Sequence, residues 1–566
     1  MTERMTAGGA LLRRLKALGM DYVFCNSGTD FPPIIEGLAE AKAKDIALPR
    51  MLTIPHEHAA VSMAHGYYQM TGRGQAVMLH TNVGLANGAS GAINAATAHV
   101  PILLMSGRTP VTEADRFGAR TVPIGWGQEM RDQTALVREA SKWDYELRFP
   151  EQIGPLLDRA DAIAHSTPRG PVYLSLPREV LCESVDAEGL DAPTSIAPTR
   201  VGPDPAAVAA AARALAGARS PLIIAQRGAG DDASFAAFAQ MVADRAIPVC
   251  CWWAVELALA TDHPCNIGPD PSPWIEEADV IVILDALAPW WPDKHKPRAD
   301  ATVINIGPDP VFSRFPVRNF RCDIALAGES ADTLPALADA LAAEPRDEAV
   351  LAERRERIGA ASDSVRARML QTAEAGIGAP MTKEYISHCL GNALEGIGSA
   401  VFSELGTVLG HLPRNDRNSW FQEPHSGGLG WAFGAALGAQ LAAPERLVVA
   451  TMGDGSYMFA NPTVCHQIAE ALELPVVVLV LNNREWGAVR HSVTGLYPDG
   501  YAARANDFPL TGLTPSPDFA LTAQASRAHA ERVTDGAGLP EALARAIRIA
   551  QEDRRQVLLD IDTARS

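Results

Sequence analysis

Short runs of β-branched residues alternate with Ala-rich amphipathic stretches through most of this chain. Examples are QAVMLH (75–80) and PILLMSG (101–107) near the start, and LVVATM (447–452) and PVVVLVL (475–481) near the end. Such alternation is typical of βαβ units, in which a crossover helix makes successive strands parallel. The pattern therefore predicts the α/β fold class, built from doubly wound parallel sheets.

Two linker segments divide the chain into three such domains. A Pro-rich segment covers 191–205, and the charged run EPRDEAVLAERRERIG (344–359) is typical of a solvated helix. A chain of 566 residues is also too long for one hydrophobic core. We predict an N-terminal domain over 1–187, a Rossmann-like central domain over 200–345 and a C-terminal domain over 370–566.

The chain is acidic, with 49 Lys and Arg residues against 67 Asp and Glu residues and a formal net charge of −18. Nucleic-acid binding derives its affinity mainly from Lys and Arg, so that function is not expected. No segment approaches the ~20 apolar residues of a membrane span, and Arg13, Arg14 and Lys16 interrupt the apolar residues of the N-terminus. The 8 cysteines include no C-x-x-C pair and are typical of reduced thiols. We therefore predict a cytoplasmic protein that binds neither nucleic acid nor membrane.

The segment Met452–Ser456 (MGDGS) directly follows a predicted strand, and a helical stretch and a second strand then lead to an Asn-Asn pair (482–483). Parallel strands end at one edge of a sheet, where open α/β folds bind ligands, so Asp454 and the Asn pair are expected to converge. A carboxylate, an amide oxygen and a backbone carbonyl suit Mg²⁺, and the amides of Gly455 and Ser456 could approach a diphosphate. Each motif alone could be a turn or a strand end, but their combined context favours a binding site.

Gly-Asp-Gly, 26 intervening residues (456–481) and Asn-Asn resemble the cofactor motif of the thiamine-diphosphate-dependent family that includes benzoylformate decarboxylase, pyruvate decarboxylase and acetolactate synthase. The resemblance implies pyrimidine-binding, central and diphosphate-binding domains, in that order. It also implies that Mg²⁺ is held by Asp454, Asn483 and the backbone carbonyl of Glu485. Cofactor contacts are implied for residues of several glycine-containing segments and the Asn pair: Gly406, Thr407, Gly427, Leu429, Gly453, Gly455, Ser456 and Asn483.

Glu57 lies in PHEHAA (55–60), directly before a helical stretch. A lone Glu at this place could simply interact favourably with the helix dipole. The resemblance instead implies that Glu57 hydrogen-bonds the pyrimidine ring of the cofactor, which promotes loss of the thiazolium C2 proton. We therefore expect Glu57 to be a catalytic residue.

His80 ends the second predicted strand of the first domain, in LHTNVG (79–84). Benzoylformate decarboxylase is similar here, with a histidine at this place, whereas acetolactate synthases have Ser-Gly-Pro-Gly. The resemblance implies a catalytic His80 that transfers protons during turnover, although a structural histidine at a strand end is an alternative. Thr29, in NSGTD (26–30), takes the place of a substrate-contacting Ser and could bind a carboxylate, or could be an ordinary turn residue.

Three further positions are candidates for substrate contacts, and they mix features of two branches of the family. Gln128, in GWGQEMRDQ (125–133), resembles a Gln of acetolactate synthases. Trp486 and Ser492 follow the predicted metal-binding Asn. Ser492 stands where benzoylformate decarboxylase has an aromatic residue that packs on the substrate ring, so an unmodified aryl glyoxylate is not expected as the substrate.

The central domain gives little indication of a flavin site. Its segment Gln226–Gly230 (QRGAG) follows a predicted strand but lacks the third glycine of a dinucleotide-binding motif. The sequence also lacks the Arg-Phe-Asp-Asp type of run that is typical of flavin-binding synthases. FAD is therefore not expected as a cofactor.

The resemblance implies an enzyme that uses thiamine diphosphate and Mg²⁺ to cleave or form a C–C bond next to a carbonyl. The leading hypothesis is a lyase, a 2-oxo acid decarboxylase or carboligase acting on a small carbonyl compound. An acetolactate-synthase-like transferase and a C–C hydrolase of a 1,2-dione remain open. An inactive regulatory subunit would not need intact Glu57, Asp454 and Asn483. The resemblance further implies a homodimer with active sites at its interface, and the expected assembly is either this homodimer or a homotetramer.

Overall fold

The computed structural model describes residues 4–194 and 196–565. Parallel sheets of six, five and six strands follow one another along the chain, as first, central and third regions. The predicted α/β class with three parallel sheets is therefore confirmed. No helix within the described ranges is long and apolar enough to cross a membrane.

The first region is built around a six-stranded sheet. Its strands are β1 (Arg4–Thr6), β2 (Tyr22–Cys25), β3 (Arg50–Thr53), β4 (Gln75–Leu79), β5 (Ile102–Arg108), β6 (Asp144–Glu146), β7 (Val172–Pro177) and β8 (Ser184–Asp186). Its helices are α1 (Ala7–Ala17), α2 (Pro32–Lys44), α3 (Glu57–Thr71), α4 (Thr81–Thr97), α5 (Ile124–Gly127), α6 (Ile153–His165) and α7 (Arg178–Leu181). The parallel sheet has the order β3-β2-β4-β5-β7-β6, and β1 pairs with β8 in an antiparallel ladder beside it.

The central region has the sheet order β10-β9-β11-β12-β13. These strands are β9 (Pro221–Ala225), β10 (Val249–Cys250), β11 (Val280–Leu284), β12 (Thr302–Gly307) and β13 (Ile324–Ala327). The helices are α8 (Pro205–Gly217), α9 (Asp232–Arg245), α10 (Ser272–Ile275) and α11 (Ser330–Ala343). The long helix α12 (Glu348–Ala375) follows and exposes most of its charged residues, so the solvated helix predicted within 344–359 is confirmed.

The third region repeats the architecture of the first. Its strands are β14 (Ser399–Glu404), β15 (Trp420–Gln422), β16 (Leu447–Gly453), β17 (Val477–Asn482), β18 (His529–Val533) and β19 (Val557–Asp562). Its helices are α13 (Lys383–Ala393), α14 (Trp431–Ala442), α15 (Asp454–Phe459), α16 (Pro462–Ala471), α17 (Gly487–Leu496), α18 (Tyr501–Ala505), α19 (Phe519–Gln524) and α20 (Leu539–Glu552). The sheet order is β15-β14-β16-β17-β19-β18, which places the strands of this sheet in the same relative order as those of the first.

The first and third regions share a hydrophobic core, in which α3 packs across α14. The two helix backbones approach so closely that a Cβ on Gly66 of α3 would overlap the carbonyl of Ala435. A Cβ on Gly438 of α14 would likewise overlap the carbonyl of Met63. Only glycine permits such an approach, so this crossing fixes how the two sheets lie relative to each other.

Candidate active site

At the carboxyl edge of the first sheet, two amide side chains hold the carboxylate of Glu57. Glu57 is the first residue of α3. Asn26, directly after β2, donates from Nδ2 to Oε1 of Glu57 at 2.8 Å, and Asn87 of α4 donates to Oε2 at 2.5 Å. The carboxylate also lies against α4, where a Cβ on Gly84 would be 3.2 Å from Oε1. Both donors are neutral amides, which orient the carboxylate without placing a positive charge beside it.

His80 lies at the same edge, between the end of β4 and the start of α4. Its Nδ1 is 2.5 Å from Oδ1 of Asp30, and its Nε2 is 3.3 Å from Nε2 of Gln128. The hydrogen bond to Asp30 raises the pKa of His80, while burial of the ring acts in the opposite direction. His80 therefore has the properties of a proton-transfer residue tuned by a neighbouring carboxylate.

Gln128 reaches His80 from the segment between β5 and β6, which a charged cluster around Glu129 anchors. Glu129 accepts hydrogen bonds from Arg108 at 2.6 Å, from the hydroxyl of Thr109 at 3.0 Å, and from Arg120. These bonds tie the segment to the end of β5 and so fix the place of Gln128. Thr29 is exposed, and its carbonyl accepts a hydrogen bond from Arg178 at 3.1 Å.

At the carboxyl edge of the third sheet, Asp454 is the first residue of α15 and is only 2% exposed. The backbone amides of Gly455 and Arg484 lie at its carboxylate, so the structure brings Asp454 together with the turn that follows β17. Burial raises the pKa of Asp454 to about 6. Its Oδ2 has no hydrogen-bond partner among residues 4–194 and 196–565. A buried carboxylate oxygen without a partner is unfavourable, and a bound cation would satisfy it.

The other two predicted metal ligands lie in the turn after β17. Oδ1 of Asn483 accepts from the backbone amide of Glu485 at 3.0 Å. The carbonyl oxygen of Glu485 accepts a hydrogen bond from the amide of Gly487 at 2.9 Å. A carbonyl oxygen has a second lone pair, which could bind a cation. In the described part of the chain no group of three or more His, Cys, Asp and Glu side chains could hold a metal ion. A cation at this edge therefore depends on the mixed oxygen set around Asp454.

Two loops, one after β14 and one before α14, lie against β16 and the end of α15. In the first, a Cβ on Gly406 would overlap the backbone of Thr451, and Thr407 hydrogen-bonds the Thr451 hydroxyl at 2.9 Å. In the second, Gly427 has a φ of 67° and Leu429 is half-buried. The hydroxyl and the backbone amide of Thr407 therefore both contact Thr451 of β16, and Gly406 allows the loop to lie against the backbone of that strand.

Glu404 and Asn94 hold the loop that carries Gly427 and Leu429. The buried Glu404, at the end of β14, accepts from the amide of Gly430 at 2.6 Å and from that of Ala432 at 2.8 Å. Asn94 of α4 donates to the carbonyl of Gly428 at 2.8 Å and accepts from its amide at 3.2 Å. The conformation of this loop thus depends on both the first and the third region.

The remaining predicted positions follow along α15 and α17. Gly453 precedes α15, and Ser456 is buried in it. Trp486 packs so closely on α15 that a Cβ on Gly455 would overlap its ring. Ser492 is exposed on α17. The structure places Glu57 and His80 at the edge of the first sheet and Asp454 at the edge of the third.

Glu404 lies near a second carboxyl, that of Glu423, and the pair predicts a pH effect on stability. Burial raises the pKa of Glu404 to about 7; burial and the nearby Glu404 raise that of Glu423 to about 8. Both values lie above the ordinary value of 4.5, so the unfolded chain releases these protons at lower pH than the folded one. We expect the metal-free protein to lose stability as the pH rises from about 5 to about 8, and Glu423→Gln to reduce this loss.

Thermal unfolding followed by circular dichroism at a series of pH values measures this effect. Glu395→Gln, at an exposed glutamate next to α13, is the matched control and should follow the wild type. Equal pH dependence of Tm in the wild type and Glu423→Gln would contradict the assignment of the effect to Glu423.

Two protein-family models match the regions that carry these two sheets. The model for the N-terminal TPP binding domain of thiamine pyrophosphate enzymes matches residues 5–136, and the model for their C-terminal TPP binding domain matches residues 405–561. The chain belongs to the thiamine pyrophosphate enzymes. This membership confirms the family predicted from Gly-Asp-Gly and Asn-Asn.

Similar thiamine pyrophosphate enzymes include a probable 2-ketoarginine decarboxylase of Pseudomonas aeruginosa, 29% identical over 90% of this chain and 88% of that protein. Benzoylformate decarboxylase of the same organism is 26% identical over 86% of this chain and 87% of its own length. The acetolactate synthase large subunit of Mycobacterium tuberculosis is 28% identical over 96% and 94%, respectively. A 4-hydroxybenzoylformate decarboxylase of Rhodococcus jostii has the same fold, with a TM-score of 0.78 over 99% of both chains at 22% identity.

The residues of this thiamine pyrophosphate enzyme fit the cofactor of its family. The unpartnered Oδ2 of Asp454 offers a ligand to the cation that a diphosphate requires. Glu57 presents an oriented carboxylate at the edge of the first sheet, and Gly427 is exposed in the loop before α14. Sequence reasoning missed the residues that position these groups: Asn26, Asp30, Asn87, Asn94 and Glu129. The only sequence signal for Asn26 and Asp30 is that they flank Thr29 in the loop after β2.

Proposed function

We propose that this chain is a thiamine-diphosphate- and Mg²⁺-dependent decarboxylase or carboligase of small 2-oxo acids. The observation that carries the proposal is the pairing of Glu57 with His80 at one sheet edge, each held by its own hydrogen bonds. A carboxylate for cofactor activation and an imidazole for proton transfer are the two groups that decarboxylation and protonation of a 2-oxo acid require. The names of the similar decarboxylases support the same reaction class.

When bound, thiamine diphosphate supplies a nucleophilic ring carbon and an electron sink for C–C bond chemistry. In this proposal Glu57 holds a proton at the pyrimidine nitrogen, while Asn26 and Asn87 keep its carboxylate oriented. Asp454, Asn483 and the carbonyl of Glu485 would bind Mg²⁺. The other cofactor contacts would come from the backbone and side chains of Gly406, Thr407, Gly427, Leu429, Gly453, Gly455 and Ser456.

Residues around His80 and at the start of α17 would contact the substrate. His80 would give and take a proton at the reacting carbonyl, and Gln128 beside its Nε2 would orient the substrate. Thr29 is exposed at the same edge and could bind the carboxylate of a 2-oxo acid. Trp486 and Ser492 would contact the rest of the substrate from the third region. In this assignment, α17 would determine which side chain of the 2-oxo acid is accepted.

A homodimer is part of the proposal, because both edges carry uncovered apolar side chains. Phe117, in the segment between β5 and β6 that also carries Gln128, is 83% exposed, while Tyr501 and Leu510, after α17, are 88% and 95% exposed. In the described structure α17 and α18 bury none of their residues. Exposed apolar surface of this kind marks an interaction site. We infer that a second copy covers these segments and that two dimers form a homotetramer.

The attachment of the Gly427–Gly430 loop also favours a shared site. Glu57 contacts α4 at Gly84 and Asn87, whereas the same chain's loop is fastened to Asn94. Seven to ten residues of helix correspond to about 10–15 Å along the axis of α4. We therefore propose that Glu57 meets the cofactor held by the third region of the partner chain.

The proposal also covers the domain bounds, the location of the enzyme and its partners. The pyrimidine-binding, central and diphosphate-binding domains would cover 1–187, 200–345 and 370–566, in a cytoplasmic enzyme. We propose no flavin in the central domain, where Arg227 of the candidate dinucleotide turn instead forms a buried ion pair with Asp285 at 3.1 Å. The partners are small carbonyl substrates, not nucleic acids or membranes.

Substitution of His80 tests the reaction branch. We expect His80→Ala to lower kcat for the best 2-oxo acid by about 10²-fold, because a positioned acid–base group is lost. Cofactor affinity, measured by calorimetry, should change little because the residues assigned to the cofactor are unaltered. A panel of 2-oxo acids, assayed with and without an acceptor aldehyde, identifies the substrate and separates decarboxylation from carboligation.

The matched control is His388→Ala on α13, whose ring contacts Asn392 of the same helix at 3.0 Å. This variant should retain wild-type turnover. If His80→Ala also turned over normally, His80 would be structural, and an acetolactate-synthase-like transferase would become the better proposal. Cleavage of a cyclic 1,2-dione in preference to every 2-oxo acid would instead favour the hydrolase.

A further inference from the structure

We propose that Asp30 is a positioning residue that fixes the ring orientation and protonated nitrogen of His80, an inference that rests on the proposed function. Asp30 lies in the loop between β2 and α2 and is 4% exposed. Its Oδ1 is 2.5 Å from Nδ1 of His80. Its Oδ2 is buried and has no partner within the described ranges of the chain. The carboxylate therefore has His80 as its main polar contact.

The backbone around this pair leaves space for these two side chains and little else. A Cβ on Gly28 would overlap the imidazole of His80, and a Cβ on Gly107, near the end of β5, would overlap the carboxylate of Asp30. The imidazole therefore packs against the backbone at Gly28, and the carboxylate packs against the backbone at Gly107. Each close approach restricts the rotation of its side chain on that side.

The residue after His80 adds a second, independent sign of constraint. Thr81 has a φ of 45°, in the left-handed region that β-branched residues rarely adopt. It is buried at the first position of α4. A backbone outlier of this kind persists only where the surroundings enforce it, and such outliers cluster at functional sites. The turn therefore holds His80 at one orientation relative to the sheet edge.

The contact with Asp30 determines which nitrogen of His80 carries a proton. An ionised carboxylate only accepts hydrogen bonds, so Nδ1 donates to Asp30 and Nε2 is left for the reaction. Gln128 faces Nε2, and its amide can donate to the neutral ring or accept from the protonated one. The charged groups that face His80 are Asp30 and Glu57, and both favour the imidazolium. Asp30 thus prepares His80 to act through Nε2 as both acid and base.

Asp30→Asn tests this role, because it removes the charge and keeps the size of the side chain. With ¹³C- and ¹⁵N-labelled histidine in the cofactor-free chain, we expect the pKa of His80 to fall in Asp30→Asn. His80→Gln assigns the resonance, and Asp132→Asn, at an exposed aspartate, is the matched control that should leave the pKa of His80 unchanged. In the cofactor-loaded enzyme, kcat should fall by about 10–100-fold, which is the typical effect of removing the orienting partner of a functional histidine. The limb of the pH–rate profile that His80 governs should also move to lower pH.

A second measurement needs no variant. The ¹⁵N shifts of neutral His80 in the wild-type chain should show the proton on Nδ1; a proton on Nε2 would overturn the proposal. An unchanged His80 pKa in folded Asp30→Asn would overturn it as well. A lowered pKa in a chain that acts on no 2-oxo acid would uphold the role of Asp30 toward His80 and refute the proposed function instead.

Discussion

Replacing Glu57 with glutamine is expected to slow hydrogen–deuterium exchange at C2 of bound thiamine diphosphate by about 10⁴-fold. A glutamine has the size of the glutamate but cannot hold a proton at the pyrimidine nitrogen. One of Asn26 and Asn87 should still donate to the glutamine oxygen, and the other can turn its amide to accept from the glutamine nitrogen. The fold and most of the cofactor affinity should therefore survive. Quenched-flow exchange followed by NMR of the released cofactor measures the step directly.

Glu36→Gln, at an exposed glutamate of α2, is a suitable control and should exchange at the wild-type rate. Exchange at the wild-type rate in Glu57→Gln would remove Glu57 from the catalytic role. Loss of cofactor binding in calorimetry would show that Glu57 acts in binding instead of activation. Because the measurement does not depend on the substrate, it remains informative while the 2-oxo acid is unknown.

Mixing two inactive variants is expected to restore activity. Asp454→Ala removes the buried carboxylate assigned to Mg²⁺, so this variant should lose tight binding of the cofactor and all turnover. Glu57→Gln should be inactive by itself for the reason given above. If each active site joins Glu57 of one chain to Asp454 of the other, a mixed dimer has one site with both changes and one with neither. Co-expression should then recover about a quarter of the wild-type activity, because half of randomly paired dimers are mixed.

The same variants expressed separately and mixed without subunit exchange provide the control, which should stay inactive. Continued inactivity of the co-expressed protein, with mixed dimers demonstrated by two affinity tags, would show that Glu57 and Asp454 serve one site within a single chain. A monomeric wild-type protein in analytical ultracentrifugation would contradict the dimer itself.

The sequence by itself was sufficient to predict the α/β class and the meeting of Asp454 with the turn after β17. Both follow from local pattern, since β-branched runs separated by helices form parallel strands and parallel strands end at a common edge. The family followed from the spacing between Gly-Asp-Gly and Asn-Asn, which the matched domain models confirm. Glu57 and His80 could be singled out only through that resemblance, because a glutamate at a helix start and a histidine at a strand end are common.

Only the tertiary structure showed what holds the candidate groups. Asp30 and His80 are 50 positions apart in the sequence, and Asn94 and Gly428 are 334 apart. No periodicity links such residues, because their contacts arise from the order of strands in a sheet and from the close crossing of α3 and α14. Sequence pattern thus determined which elements form and at which edge their polar ends lie. The packing of backbone against backbone, at Gly28, Gly66 and Gly107, decided which side chains meet there.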